Sequence, residues 1–326
     1  MVPAMSPRRS GRVVVTGGAG FIGSHLCEAL LERGHTVTCV DNLVGSGGST
    51  RNIDHLLDLP QFRFHHESVL DWVLAADLAG TDCIFHLAAS KHSVSLDDPE
   101  RDLAVNGLAT LRLLLKAAEQ RVRKLVHAST GSVVGATEAP HLESGRNDPV
   151  SVYGISKLAG ESYCRVLGSQ LGLDYTVMRY YHVIGPRQDG SDVGGVVPIF
   201  VRRCLEREPL TIYGTGEQTR SFTSVHDIVR ANLLVAGSAD ARQEVFNAAS
   251  GISVSINELA AFVIAETGSD GGVEFAPARP GDIPHFRIDN TKLRRLGLRF
   301  STDWRAMVRD VIAAHQVSPQ QVMTST

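Results

Sequence analysis

Val13-Val14-Val15-Thr16-Gly17-Gly18-Ala19-Gly20-Phe21-Ile22-Gly23 is the stretch whose reading decides the fold. A β-branched run enters a glycine cluster, and a helical apolar pattern leaves it. Residues 12–16 suit a buried parallel strand. Leu26, Ala29 and Leu30 recur at helical period over 24–33, and Gly34 stops the helix. Strand, tight turn and helix N-terminus together make an anion site: free N–H groups and the helix dipole face the anion, and missing Cβ atoms admit it. The next apolar run, 36–40, ends in Asp41. A carboxylate there accepts both ribose hydroxyls of a dinucleotide and repels a 2′-phosphate, which selects NAD over NADP. Glycine spacing alone fits an ordinary packed turn equally well; the strand, the helix and the acid give the motif its meaning.

With 326 residues and 43% hydrophobic content, the chain has volume for two lobes and a full core. A net charge of −3 supports neither a nucleic-acid nor a membrane-surface partner. The opening residues, 1–10, carry Arg8 and Arg9 without an apolar run behind them, and read as a disordered tail and not a signal peptide. Cys27, Cys39, Cys83, Cys164 and Cys204 sit in apolar surroundings at unpaired spacings, as reduced thiols of a cytoplasmic protein do. His65, His66, His86 and His92 lack metal-ligand spacing, so no metal is expected.

Beyond the first motif, strands are expected at 62–65, 83–86, 124–128 and 175–179, with helices at 50–57, 69–78, 99–120 and 152–171. Strand–helix alternation means parallel pairing with right-handed crossovers, hence a doubly wound α/β sheet. The pattern changes near residue 182. Turn-rich sequence gives way to short strands (210–213, 221–225, 245–248, 273–276) and helices (197–207, 227–236, 256–267, 304–315). The expected division is a cofactor domain over 11–181, to which 221–262 returns, and a smaller α/β lobe from 182–220 and 263–316.

Tyr153 and Lys157 lie four apart at the start of a helix, on one face. An ammonium beside a phenol favours the phenolate, a general base near neutral pH. Ser129-Thr130 closes the preceding strand and offers a hydroxyl to the same substrate oxygen. Alone, such a pair reads as surface packing; after a dinucleotide motif, in this order, it reads as chemistry.

From about residue 12 to 315 the chain resembles an extended short-chain dehydrogenase/reductase of the nucleotide-sugar epimerase and dehydratase group, closest in pattern to UDP-hexose 4-epimerases. Thr16–Gly23, Asp41-Asn42-Leu43, His86-Leu87-Ala88-Ala89, Asn106, Ser129-Thr130, Tyr153/Lys157, Arg179–Pro186, Gly214–Arg220 and Arg279-Pro280-Gly281-Asp282 carry the likeness. The resemblance implies a Rossmann sheet and bound NAD. Gly17, Gly20, Phe21 and Ile22 then cradle the pyrophosphate, and Asp41 and Asn42 hold the adenosine ribose. Ser68 and Val69 meet the adenine, with serine where the family usually has Asp. Leu87, Ala88, Ala89 and Lys91 line the cofactor cleft, Lys157 binds the nicotinamide ribose, and Tyr180 lies near the nicotinamide. Thr130 and Tyr153 flank the sugar O4. Arg220 and Arg279 clamp the diphosphate, and Ser93, His182, Val197, Tyr213, Asp282 and Phe286 complete the sugar-nucleotide site. His182 stands where the family has asparagine, and Val134 where it commonly has tyrosine.

In the resembled dehydratases, Asp and Glu follow the strand-end Thr; the decarboxylases keep the Glu. Gly131 and Ser132 stand here, and neither transfers a proton as a carboxyl does. Reversible oxidation at C4 remains, which makes a 4-epimerase. In the resembled 4-epimerases a bulky residue four positions beyond the Arg-x-Gly-Asp loop tends to exclude N-acetylated sugars, and Phe286 at that position implies a sugar without an N-acetyl group. Arg187 can meet a carboxylate, so a UDP-glucuronate 4-epimerase stays open, followed by a 4,6-dehydratase or a reductase; a non-catalytic NAD sensor fits least. The resemblance also implies a homodimer in which helices 99–120 and 152–171 pack across a two-fold axis.

Overall fold

The computed structural model describes residues 10–90, 95–137, 139–191, 194–278, 285 and 287–316. Lys91, Ser93, Arg279, Asp282, Phe286 and almost all of the expected N-terminal tail lie outside the described residues. The chain opens with β1 (Arg12–Thr16), α1 (Phe21–Leu31) and β2 (Thr36–Asp41), then β3 (Phe62–His66), α2 (Val69–Ala75) and β4 (Thr81–His86). A helical run follows as α3 (Pro99–Leu103), a π-helical turn (Ala104–Leu108) and α4 (Ala109–Glu119). Next come β5 (Lys124–Thr130), a 3₁₀ turn (Gly131–Val133), α5 (Val152–Leu171) and β6 (Asp174–Tyr180).

The second half continues with β7 (Val183–Ile184), α6 (Val196–Leu205), β8 (Leu210–Tyr213), β9 (Thr219–Arg220) and β10 (Thr223–Ser224). It ends with α7 (Val225–Gly237), β11 (Glu244–Ala248), β12 (Val254–Ser255), α8 (Ile256–Thr267), β13 (Val273–Ala276), α9 (Thr291–Arg295) and α10 (Trp304–Gln316).

A seven-stranded sheet, ordered β11-β6-β5-β4-β1-β2-β3, is parallel throughout. Its inner strands β1 and β5 are buried along nearly their whole length because helices cover both faces. The chain order reverses between β1 and β4, and ligands bind at the carboxyl ends beside such a switch. Register brings the strand ends together there: Thr16 opposite Val40 and His86, and Thr130 opposite Tyr180.

Around Ile184, Val197, Phe200, Phe222, Leu259 and Val311 a second apolar core binds α6, α8 and α10 together. The parallel pair β8/β13 and the antiparallel pair β9/β12 belong to the same region.

Three elements differ from the sequence expectation. Residues 50–57 form only a 3₁₀ turn at Asp54–Leu56, since Ile53 and Leu56 bury into the core while too few residues are left for a full crossover helix. The helix over 99–120 is interrupted by its π-turn, which inserts a residue without disturbing the apolar stripe. The strand expected over 221–225 shortens to β10 at Thr223–Ser224, because Val225 already opens α7, and the separate short strand β9 precedes it at Thr219–Arg220.

Candidate active site

Gly17 takes φ +72°, and a Cβ on it would stand 2.6 Å from the backbone nitrogen of Ala88. A Cβ on Gly23 would overlap the carbonyl oxygen of Gly17, so the helix can start against the turn only with glycine at both places. Gly20 caps α1 without any side-chain hydrogen bond, which leaves the first-turn N–H groups at Phe21 and Ile22 for an anion. Asp41 Oδ2 accepts from Ala19 N at 3.0 Å, and Oδ1 accepts from Leu43 N at 2.8 Å. Burial raises its carboxyl, opposed by those N–H groups. A cradle that a Cβ would fill, an open helix terminus and an acid at the end of β2 fit a dinucleotide.

The third wall of this cleft is fixed by a directed hydrogen-bond chain. Ala88 N donates to Thr16 Oγ1 at 3.3 Å, and Thr16 Oγ1 lies 2.7 Å from His86 Nδ1. His86 Nε2 lies 3.0 Å from Thr110 Oγ1, which donates to the Asn106 carbonyl at 2.7 Å. Because Thr110 spends its proton on Asn106, it accepts from His86, and His86 is the Nε2–H tautomer. Burial and the nearby Lys157 charge hold that imidazole neutral, pushed down to about 3. The chain ties the cofactor-side loop Leu87–Ala89 to the π-turn.

Ser68 caps α2, its Oγ accepting from Leu70 N at 3.3 Å, while Val69 is buried. Asn42 Oδ1 accepts from Val44 N at 3.2 Å. Tyr180 OH donates to Asn232 Oδ1 of α7 at 2.9 Å, which sets its ring at the end of β6.

Thr130 Oγ1 accepts from Ser132 N at 3.2 Å and donates to Ser132 Oγ at 3.2 Å, shaping the 3₁₀ turn. Ser151 caps α5, and a Cβ on Gly154 would lie 2.7 Å from the Ser132 carbonyl oxygen. That close approach brings the first turn of α5, with Tyr153, onto the strand end carrying Thr130.

The expected effect of Lys157 on Tyr153 is not what the fold produces. Burial, helped by the Asp102 charge, pushes the Tyr153 phenol up to about 12. Burial pushes the Lys157 ammonium down to about 8, against opposing pulls from Glu161, Cys164 and Asp102. In the unliganded cleft desolvation and the Asp102 charge set the direction of the phenol's shift.

Gly131 sits under the Tyr181 ring, where a Cβ would overlap the ring edge. The Tyr181 hydroxyl lies 3.2 Å from His141 Nδ1 and donates to Asn247 Oδ1 at 3.4 Å. Any larger residue at 131, a carboxylate included, must displace this packed tyrosine.

His182 is buried at φ +38°, in the left-handed region that asparagine and histidine enter more readily than most residues. Desolvation and the positive charge of Arg220 push it down to about 3. Arg220, on β9, therefore lies close enough to His182 for its charge to act there. Arg187 is paired within the protein: its guanidinium donates to Glu28 Oε1 of α1 at 2.5 Å, and His55 meets the same oxygen at 2.6 Å. Val197 packs inside the second core, and Tyr213 stands exposed at the end of β8. Val134 is buried beside Gly135, and nothing in the structure explains its replacement of tyrosine.

The sequence reading passed over one buried network. Arg179 forks onto Glu161 with Nε–Oε1 at 2.9 Å and Nη2–Oε2 at 2.7 Å, and Ser129 Oγ donates to Oε1 at 2.5 Å. Glu161 lies one turn beyond Lys157, a spacing that was visible in the sequence, but its partners come from other strands.

A glycine cradle, an acid at the second strand and a Tyr/Lys pair at the carboxyl edge define a nicotinamide-dependent enzyme. A family model described as the NAD dependent epimerase/dehydratase family matches residues 13–249. The chain belongs to that family, and it is an NAD-dependent epimerase-type enzyme. It is 37% identical over 294 residues to a UDP-glucose 4-epimerase of Mycolicibacterium smegmatis, covering 87% of this chain and 92% of that one. Among solved structures it resembles the UDP-glucose 4-epimerase of Thermotoga maritima with UDP-glucose (TM-score 0.86, 34% identity, 94% of this chain and 99% of that chain). It also resembles a Bacillus cereus UDP-glucuronic acid 4-epimerase in complex with UDP-glucuronic acid and NAD (TM-score 0.87, 28% identity, 94% and 99%).

Proposed function

We propose that the protein interconverts UDP-sugars at C4, as a UDP-glucose/UDP-galactose 4-epimerase. The observation that carries this reading is Gly131 beneath the Tyr181 ring: no carboxyl group follows Thr130, and the packing leaves no room for one at 131. Elimination and decarboxylation lose their acid, and proton removal from O4 remains. Bound NAD supplies the hydride acceptor and donor, and a positive charge beside the phenol. Tyr153 takes the O4 proton and returns it after the 4-keto sugar has turned over. Thr130 holds that oxygen, and the Lys157 ammonium together with the positive charge of the bound nicotinamide favours the phenolate. Arg220, with Arg279, grips the diphosphate while the sugar rotates, and Lys157 holds the nicotinamide ribose.

The glucuronate reading loses its strongest support, since Arg187 is committed to Glu28. NMR of UDP-glucose, UDP-galactose and UDP-glucuronate incubated with the pure protein tests the choice. Inversion at C4 of the hexoses, without added reductant, is the expected result; inversion of glucuronate alone would reverse it.

We infer a cytoplasmic homodimer. Leu103, Leu108 and Leu115 on the α3–α4 side, and Ile155, Tyr163 and Val166 on α5, are exposed apolar residues on neighbouring helices. Sedimentation equilibrium is expected to give twice the 35.1 kDa chain mass; the single-chain mass would remove the inference.

A further inference from the structure

Behind the Tyr153–Lys157 face lies a carboxylate that the proton and hydride chemistry leaves unused. Asp102, on α3, is fully buried. Its Oδ1 accepts from Asn106 Nδ2 at 3.0 Å, while Oδ2 has no hydrogen-bond partner among the described residues. The same amide nitrogen donates to Ser156 Oγ at 2.9 Å, and Ser156 Oγ donates to the Tyr153 carbonyl at 3.0 Å. Ser90 N donates to Asn106 Oδ1 at 3.0 Å, which fixes the amide's orientation. The π-turn is what brings Asn106 round to meet both Asp102 and Ser156. Asp102 is thus joined, through one amide and one hydroxyl, to the catalytic helix between its two reacting side chains.

A buried charge without a counter-charge is costly. Lys157 is faced by Glu161 and Cys164 of its own helix, by Asp102 from α3, and by the buried imidazoles of His86 and His127 from the strands below. Glu161 is already committed to Arg179 and Ser129. From α4, Arg112 donates to the Leu70 carbonyl and Lys116 pairs with Glu119. On α3 itself Glu100 and Arg101 are exposed. Glu161 pulls hardest on Lys157 but is shared with Arg179 and Ser129, and Asp102 adds a second carboxylate from α3, tied to the same helix turn through Asn106 and Ser156.

We propose that Asp102 is an electrostatic positioning residue of the reaction, balancing the Lys157 ammonium and, through Asn106 and Ser156, holding the first turn of α5 in place without touching sugar or cofactor. This rests on the reading of Tyr153 as the base. Its sign is definite. The carboxylate disfavours phenolate at Tyr153 and favours ammonium at Lys157, so neutralising it moves both titrations to lower pH.

Asp102→Asn keeps the volume and the oxygen that accepts from Asn106. In NAD-loaded protein, the phenolate absorbance lost in Tyr153→Phe isolates the Tyr153 titration. Its midpoint is expected to fall by at least about 0.5 pH unit in Asp102→Asn, and both limbs of the kcat/KM profile should move with it. An unmoved midpoint, with only the height of the profile reduced, would make Asp102 purely structural and overturn the proposal. The absorbance titration needs no turnover: a shifted midpoint in a protein that inverts no UDP-sugar would uphold Asp102 and reject the epimerase reading. Should Asp102→Asn not fold, Asp102→Ser removes the same charge and is read in the same way.

Discussion

Tyr153→Phe is expected to lower kcat by about 10²–10⁴-fold while NAD stays bound. The substitution removes one oxygen from a ring that keeps its place in the first turn of α5, so neither the Gly17–Gly23 turn nor Asp41 is disturbed. Loss of turnover with retained cofactor separates an acid–base enzyme from an NAD sensor, which would be indifferent to the change. The pH dependence sharpens the test. Desolvation pushes the unliganded phenol up to about 12 and the Lys157 ammonium down to about 8. Bound NAD would bring its positive charge beside the phenol and lower its midpoint, so in the loaded protein activity should rise with pH as the phenol ionises and fall as Lys157 loses its proton. Steady-state rates across pH, with fluorescence or absorbance of bound NAD as the control, measure both effects. Undiminished turnover in Tyr153→Phe would remove the proton-transfer role.

The glycine turn, the alternating strands and the Tyr/Lys spacing were legible because each depends on local sequence. Gly17 needs its φ, β1 and β5 need apolar faces on both sides, and Tyr153 and Lys157 share a face by helical period alone. What escaped depended on tertiary neighbours. Asp102 and Glu161 went unremarked in the sequence, yet both are buried because Asn106 and Arg179 come to meet them. The π-turn was invisible, since one inserted residue leaves the apolar stripe of α3–α4 intact. Arg187 read as able to meet a substrate carboxylate; the fold pairs it with the carboxylate of Glu28 on α1. The Tyr153 phenol was misread in direction, because spacing reports the nearby ammonium and not the water stripped from both groups.

Glu161→Ala is expected to cost about 3–5 kcal/mol of stability, the usual range for removing one partner of a buried ion pair. Arg179 is 2% exposed, and its fork onto Glu161 is the bidentate kind that a single water cannot replace. Truncation leaves the guanidinium buried without its anion and strips Ser129 Oγ of its acceptor. Replacing both partners, as Glu161→Leu with Arg179→Met, should restore much of the loss, since an apolar pair leaves no charge to desolvate. Urea denaturation of the single and double variants measures this: a double variant less stable than Glu161→Ala would contradict it. The network also joins three elements that carry chemistry. Ser129 precedes Thr130 on β5, Glu161 follows Lys157 on α5, and Arg179 precedes Tyr180 on β6. Register already sets Ser129 opposite Arg179 and Thr130 opposite Tyr180, and Glu161 locks the helix onto that pair of strands. If the ion pair serves this alignment, the double variant will recover stability more fully than it recovers kcat.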